Sequence, residues 1–449
     1  MKKKIIFLVL ICLPIAAYFI ISSSLNSKKF LFIKNLIPYE LKQNIKKKFF
    51  PYEYIETLEL KIQEDQALYY NNEINLKKNL SDIKFENEKN ISLFDKNLPL
   101  KKFTNLKQLT YGIQEKTPGS AYLEFYNDKL FLLSSTGIIG FSDSFNKQIS
   151  FKQIENNISN FINEKQFKKG GGYSTKDLYI FNDNIYVSFI DEIKNNCYGI
   201  SIIQSDLNFK RLNFKKIFQL PDCITIKKNV EFSSHQSGGK IVSYDKNNIF
   251  FTTGDFRQRS EAQNKDSLIG KILKININNG NIKIISKGHR NPQGLYYDKS
   301  QGYLISTEHG PMGGDEINLI ELGSDQIPDY GWPISSYGEH YGGKKAEKNK
   351  IKYEKYPLLK SHKKYGFIEP LKYFAKAVAP SEVIGLGDNK YIMGAMKDKS
   401  IYTFELNEKN IINLKKVEIG ERVRDVIFNG RDIYLFLEDT ASIGKINYK

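Results

Sequence analysis

A short pattern, a turn residue followed by an alternating aromatic and β-branched run, recurs six times in this chain. The instances are "NDKLFLLSS" from Asn127, "NDNIYVSF" from Asn182, "KNNIFFTTGD" from Lys246, "GYLISTEHG" from Gly302, "DNKYIMGAM" from Asp388 and "GRDIYLFLED" from Gly430. Each reads as a β-strand leaving a tight turn. Their spacing, roughly 45 to 85 residues, matches the repeat of β-propeller blades, where one four-stranded sheet per period packs against its neighbours. A two-sheet sandwich would struggle to absorb six such units in about 350 residues. The expected fold class is therefore all-β, a six-bladed propeller over residues 102–449. With 449 residues, 41% apolar and 13% aromatic, the chain can bury a core of that size.

The chain ahead of the propeller reads differently. Lys2, Lys3 and Lys4 precede an apolar run from Ile5 to Ile21, about the size of a long signal-peptide core and just short of a membrane span of roughly 20 residues. Ser22-Ser-Ser24 offers no clear small-x-small cleavage site, and Ile11 before Cys12 is too bulky for a lipoprotein signal, so retention as an anchor is favoured over cleavage. Residues 1–27 are thus a signal peptide or membrane anchor. The remainder is expected in the periplasm or elsewhere outside the cytoplasm, held at the inner membrane by residues 5–21 if they are kept. From 28 to 101, stretches such as "IPYELKQNIKKKFF" carry helical spacing and high charge and predict a helical stalk.

The formal charge of +17 comes from lysines scattered among asparagine and isoleucine, with no basic stripe. That distribution describes a solvated surface rather than a nucleic-acid partner. Outside the N-terminal segment only Cys197 and Cys223 remain. In an oxidising compartment they could close a loop worth about 3 kcal/mol; equally they read as two unpaired small hydrophobes. Two cysteines and five dispersed histidines build no metal site.

In a propeller the strand ends nearest the channel converge on one face, so polar clusters far apart in sequence can share a site. "SSHQSGGK" places His235 beside glycines that let backbone approach a ligand. Such a histidine can take a proton from an alcohol, or be an ordinary surface or capping residue. In "GERVRD", Arg422 and Arg424 stand at i and i+2. On a strand they share a side, with Val423 facing the core, and form either a fork for a polyanion or a solvated pair. Asp315 and Glu316, in "GGDEIN", fix their loop or bind a structural ion, with direct catalysis the alternative.

The stretches "HQSGGKI", "TTGD", "GKILKIN", "GHRNPQGL", "EHGPMGGDEIN", "DYGWP" and "GERVRDV" together resemble, in order, the glucose/sorbosone dehydrogenases, the soluble quinoprotein aldose dehydrogenases. The resemblance runs from about Phe103 to the C-terminus; before Ser233 it is at the level of fold. It implies a six-bladed propeller carrying pyrroloquinoline quinone (PQQ) with calcium and oxidising a small sugar, the electron acceptor being unidentified. It implies His235 as general base, Arg290 and Asn291 at the quinone oxygens, and Lys397, Arg422 and Arg424 at the cofactor's carboxylates. Gly310 and Pro311 match residues whose backbone carbonyls hold calcium. Three positions depart from the family pattern: Asp329 in "DYGWP", Glu382 after "APS", and Ser234 where the glucose-oxidising branch has aspartate. They bear on the substrate more than on the chemistry. A propeller of the same ancestry that has lost catalysis and binds glycans or a protein is the other class considered.

Overall fold

The computed structural model describes residues 82–449 except 105–119, 144–147, 163–165, 167–171 and 227–230. The described strands form six sheets. Their innermost strands are Ala121–Tyr126, Thr175–Phe181, Gly238–Ser243, Pro292–Asp298, Pro380–Gly387 and Val423–Phe428. Each contacts the next, and the last contacts the first. The ring is therefore closed, a six-bladed propeller as the repeat predicts.

The repeated sequence pattern is the second strand of every blade. Lys129–Ser134, Asn184–Lys194, Asn248–Thr253, Tyr303–Glu308, Lys390–Ala395 and Asp432–Leu437 each pair antiparallel with an inner strand. Three of the joining turns, Asn127-Asp128, Asn182-Asp183 and Asp388-Asn389, hold two successive residues at positive φ. Asn and Asp tolerate that conformation best after glycine, and it suits the twist of a two-residue hairpin. The runs that follow are buried because both faces of a blade meet neighbours. Phe251, Tyr186 and Ile200 pack together across the second and third blades, and Tyr391, Ile305 and Phe404 across the fourth and fifth. Each such side chain contributes roughly 1.5–3 kcal/mol on burial.

The sixth blade joins the two ends of the described chain: Val423–Phe428, Asp432–Leu437 and Ser442–Asn447 are completed by Lys96–Thr104 and Asp82–Leu93. This corrects the helical stalk over 28–101 in its last part, where Asp82–Leu93 and Lys96–Thr104 are strands joined by a turn. The rest of that segment, and residues 1–27, lie outside the described residues. Cys197 and Cys223 form a disulfide, which resolves the alternatives left open by the sequence.

Five of the six inner strands shift register where they begin. The shifts fall between Thr175/Asp177, Gly238/Ile241, Pro292/Gly294, Pro380/Val383 and Val423/Asp425. A bulge leaves its extra residue unpaired and re-aims the side chain. The unpaired residues are Lys176, Gly239-Lys240, Gln293, Ser381-Glu382 and Arg424. Lys240 donates to Asp177 at 2.7 Å, pairs with Glu382 and lies 3.7 Å from Asp425. Lys240 belongs to the third blade and Asp425 to the sixth, opposite it, so this cluster plugs the central channel. Burial works to lower the Lys240 pKa, but the three carboxylates hold it well above the lysine range. Burial also raises Glu382 to about 8 and Asp177 to about 6, against the pull of Lys240.

Replacing Lys240 with Met should cost about 3–5 kcal/mol at neutral pH, the scale for a buried carboxylate left without its cation. With the lysine gone, the carboxylate pKa values rise further above their unfolded values, so the folded state binds more protons as pH falls and the deficit should shrink. Urea unfolding at pH 7.5 and 5.5 measures both. An equal loss at the two values would show that Lys240 acts through packing rather than charge.

Candidate active site

One face of the ring carries a cavity of about 480 Å³, within the range of small-molecule sites. Its wall is made where inner strands begin, at Tyr122, Lys176, His235, Arg290, Asn291 and Arg422, and where second strands end, at Arg257, His309 and Lys397. The six side chains singled out in sequence, His235, Arg290, Asn291, Lys397, Arg422 and Arg424, all line it. They come from four blades. No Asp or Glu lines it among the described residues.

His235 stands on the turn ahead of Gly238–Ser243. Gly172 lies against it: a Cβ there would come within 2.4 Å of Ser234 Oγ and 2.9 Å of His235 Nε2. The residue is exposed and its imidazole lines the cavity. It makes no hydrogen bond to another described side chain. Burial, then the charges of Lys176, Arg424 and Arg257, lower its pKa to about 4. At neutral pH it is an unprotonated ring able to accept a proton.

Gln236, next in the chain, links the two arginines of the adjoining wall. With its amide oriented to suit its neighbours, it donates to Asp255 Oδ1 and accepts from Arg257 Nε and Arg290 Nη2, each at 3.0 Å. Arg290 also donates to the His309 carbonyl at 2.8 Å and lies 5.4 Å from the centre of the Trp332 ring. The Trp332 indole donates to Asp255 Oδ2 at 2.8 Å. Asn291 Oδ1 accepts from Gly238 N at 3.1 Å and from Gln293 at 3.0 Å, which fixes its amide and leaves the NH2 group for a ligand. Beneath this wall His289 is buried between Ser286, at 2.7 Å, and Glu308, at 3.0 Å. In "GHRNPQGL" the histidine therefore supports and the next two residues face the cavity.

Arg422 and Arg424 converge on one carboxylate, as a shared side predicts. Arg422 Nε donates to Glu438 Oε2 at 2.7 Å, and Arg424 donates to Oε1 from Nε at 3.0 Å and Nη2 at 2.8 Å. Val423 is fully buried in the core. Glu438 is enclosed and also takes the Ser120 hydroxyl. Burial raises its pKa, but Arg424 and Arg422 outweigh that and hold it below the ordinary range. The Lys397 ammonium has no partner among the described residues.

Gly310 and Pro311 follow His309 on the loop after the fourth blade's second strand, behind the wall rather than on it. Their loop is tied by Asp315, which accepts from Gly310 N at 2.9 Å and from Val378 N and Ala379 N at 2.7 Å. Asp315 thus fixes the loop. Two of the departures noted above also have structural roles. Glu382 is in the channel plug, and Asp329 pairs with Lys287 at 2.8 Å and accepts from Gly331 N at 2.9 Å.

Sequence reasoning missed several lining residues, among them Tyr122, Lys176, Arg257, Tyr341 and Met396. Lys176 lies where the resemblance is only at fold level and reaches the wall through a bulge, which residue alternation hides. Arg257 directly follows "TTGDF", and its place after a second strand was the available signal.

A cation-lined cavity of this size on a six-bladed propeller is suited to an anionic small molecule. The chain belongs to the Glucose / Sorbosone dehydrogenase family, a family of sugar oxidoreductases, which it matches over residues 172–447. It is 28% identical over 271 residues to the aldose sugar dehydrogenase YliI of Escherichia coli (strain K12), covering 55% of this chain and 67% of that protein. Among solved structures, the apo-form of the soluble aldose sugar dehydrogenase of Escherichia coli superposes with a TM-score of 0.60 at 21% identity, over 73% of this chain and 96% of that one. The PQQ-bound form of the aldose sugar dehydrogenase of Streptomyces coelicolor gives 0.53 at 18% identity, over 75% and 96%. At these identities the two structures support the fold.

Proposed function

We propose that this chain is a PQQ-dependent dehydrogenase that oxidises the anomeric hydroxyl of an aldose-type sugar. The observation that carries the reading is the convergence of His235, Arg290, Asn291, Lys397, Arg422 and Arg424, from four blades, on one cavity that no carboxylate lines among the described residues. The donor set fits a planar group bearing three carboxylates. Lys397 has no ammonium partner among the described residues, and Arg424 spends only Nε and Nη2 on Glu438. PQQ, when bound, supplies the hydride acceptor.

His235 is the general base: its neutral ring takes the hydroxyl proton as the carbon gives up hydride, leaving a lactone. Arg290 and Asn291, their geometry fixed by Gln236, Trp332 and Gly238, present N–H groups where negative charge develops. Lys397, Arg422 and Arg424 hold the cofactor's carboxylates. The Gly310 and Pro311 carbonyls accept no hydrogen bond from the described residues and remain available to calcium, for which neutral oxygen ligands are suited. The apolar N-terminal run and the disulfide support a site of action outside the cytoplasm.

Titrating the purified protein with PQQ in the presence of calcium should give saturable quinone absorbance and, with it, dye reduction by aldoses. No PQQ binding would set the dehydrogenase reading aside in favour of a binding propeller.

A further inference from the structure

We infer that the sugar oxidised here carries its own negative charge, held by Lys176 and Arg257 on either side of His235. This rests on the dehydrogenase reading and goes beyond it to the substrate class. Six cations line the cavity: Lys176, Arg257, Arg290, Lys397, Arg422 and Arg424. Four have work in that reading; Lys176 and Arg257 do not. Glu438 stands behind Arg422 and Arg424, and Asp255 is reached through Gln236. Neither the Lys176 ammonium nor the Arg257 guanidinium pairs directly with a carboxylate among the described residues.

The placement of the two cations matters more than the count. With Arg424, they are the positive charges that act most strongly on His235. Lys176 Nζ donates to the Gly172 carbonyl at 2.7 Å, and Gly172 is the residue pressed against the His235 ring. Arg257 Nε rests on Gln236, adjacent to His235 in the chain. A sugar that presents its hydroxyl to the base therefore lies within reach of both.

Each cation is also kept against a local cost. Lys176 is 8% exposed and has no carboxylate partner among the described residues. Burial, and then Arg424, push its pKa down to about 7. An unpaired buried ammonium is unfavourable until an anion arrives, which would restore its charge. Arg257 has φ 66, directly after Phe256 at φ 48. Glycine would hold that left-handed conformation without strain, yet the position keeps a guanidinium aimed into the cavity. The chemistry this recognises is a carboxylate or phosphate on an aldose whose anomeric carbon is free, such as a hexuronic acid or a hexose 6-phosphate.

The test uses the full chain loaded with PQQ and calcium. Glucose, glucuronate, galacturonate and glucose 6-phosphate are compared by kcat/KM at low and high salt. Calorimetric binding of glucuronate and of glucose 6-phosphate to the chemically reduced holoprotein gives a readout independent of turnover. At least one anionic sugar should exceed glucose by about 10- to 100-fold at low salt, the scale of one charge-assisted hydrogen bond. The uronate and phosphate arms separate the two sources of charge. Lys176→Gln and Arg257→Gln should each cut the preference and the calorimetric affinity about tenfold or more, with PQQ affinity kept. Arg257→Gly, which removes the charge and the backbone strain together, should lose the preference without losing stability.

Glucose used as efficiently as every anionic sugar would overturn the inference. So would a fall in PQQ affinity in the Lys176 and Arg257 variants, since these cations would then serve the cofactor. Failure of the parent to bind PQQ at all would overturn the underlying reading first, and is told apart by the missing quinone absorbance.

Discussion

His235→Gln is expected to lower turnover by about 10² to 10⁴, the contribution of a positioned base, while PQQ still binds. Glutamine keeps a polar side chain of similar size against Gly172 but cannot accept a proton at neutral pH. The loss should fall in the step where the sugar reduces the quinone, read by stopped-flow absorbance; reoxidation by an artificial acceptor should stay near the parent rate. The pH profile gives a second check. In the cation-lined cavity the His235 pKa sits near 4 because burial, Lys176, Arg424 and Arg257 disfavour the imidazolium. Bound carboxylates oppose those charges, so activity should fall with acid at a pH above 4 and below the ordinary histidine value of about 6.5. A Gln variant that reduces the quinone at the parent rate would make His235 an ordinary polar residue.

Replacing Arg422 and Arg424 with Ala is expected to abolish PQQ binding at micromolar cofactor, since charge-assisted bonds to carboxylates contribute about 1.5–3 kcal/mol each. The change should also lower stability, because both guanidinium groups neutralise the enclosed Glu438. Removing them leaves a buried carboxylate with only the Ser120 hydroxyl, at a cost of about 3–5 kcal/mol. Adding Glu438→Gln should recover most of that stability in urea unfolding and none of the PQQ affinity. A triple variant that regains PQQ binding would show that the arginines act only by keeping Glu438 in place.

The blades were legible because the second strand of each is buried on both faces and leaves a turn of Asn, Asp or Gly. That combination writes a strong local pattern at every repeat. The strands that complete the sixth blade were not legible. Asp82–Leu93 lies on the rim, with residues 84–90 exposed, and its charged sequence "KFENEKN" carries no apolar alternation. A charged helix and a charged outer strand look alike when neither has a face to bury. The site divides in the same way. His235, Arg290 and Asn291 sit in glycine- and proline-marked turns that can be read directly, and Arg422 and Arg424 in an i, i+2 pair, whereas Lys176 reaches the cavity as an unpaired bulge residue. Strict alternation sends Lys176 and Asp177 to opposite sides; the bulge lets one meet the cavity and the other the channel plug.

The closure of the ring sets an order of events for the molecule in the cell. Leu100 pairs with Ile446 in the sixth blade, so the sheet that seals the circle joins residues from nearly opposite ends of the polypeptide. Contacts of such long sequence separation form late and slowly. Arg422 and Arg424 belong to that same blade, and Lys397 to the one before it. A chain stalled or clipped before these residues is an open crescent with half a binding wall, with no weaker form of the site to fall back on. On the proposed function, capture of the cofactor would then report ring closure, since the wall is complete only once Lys96–Thr104 has paired with Ser442–Asn447.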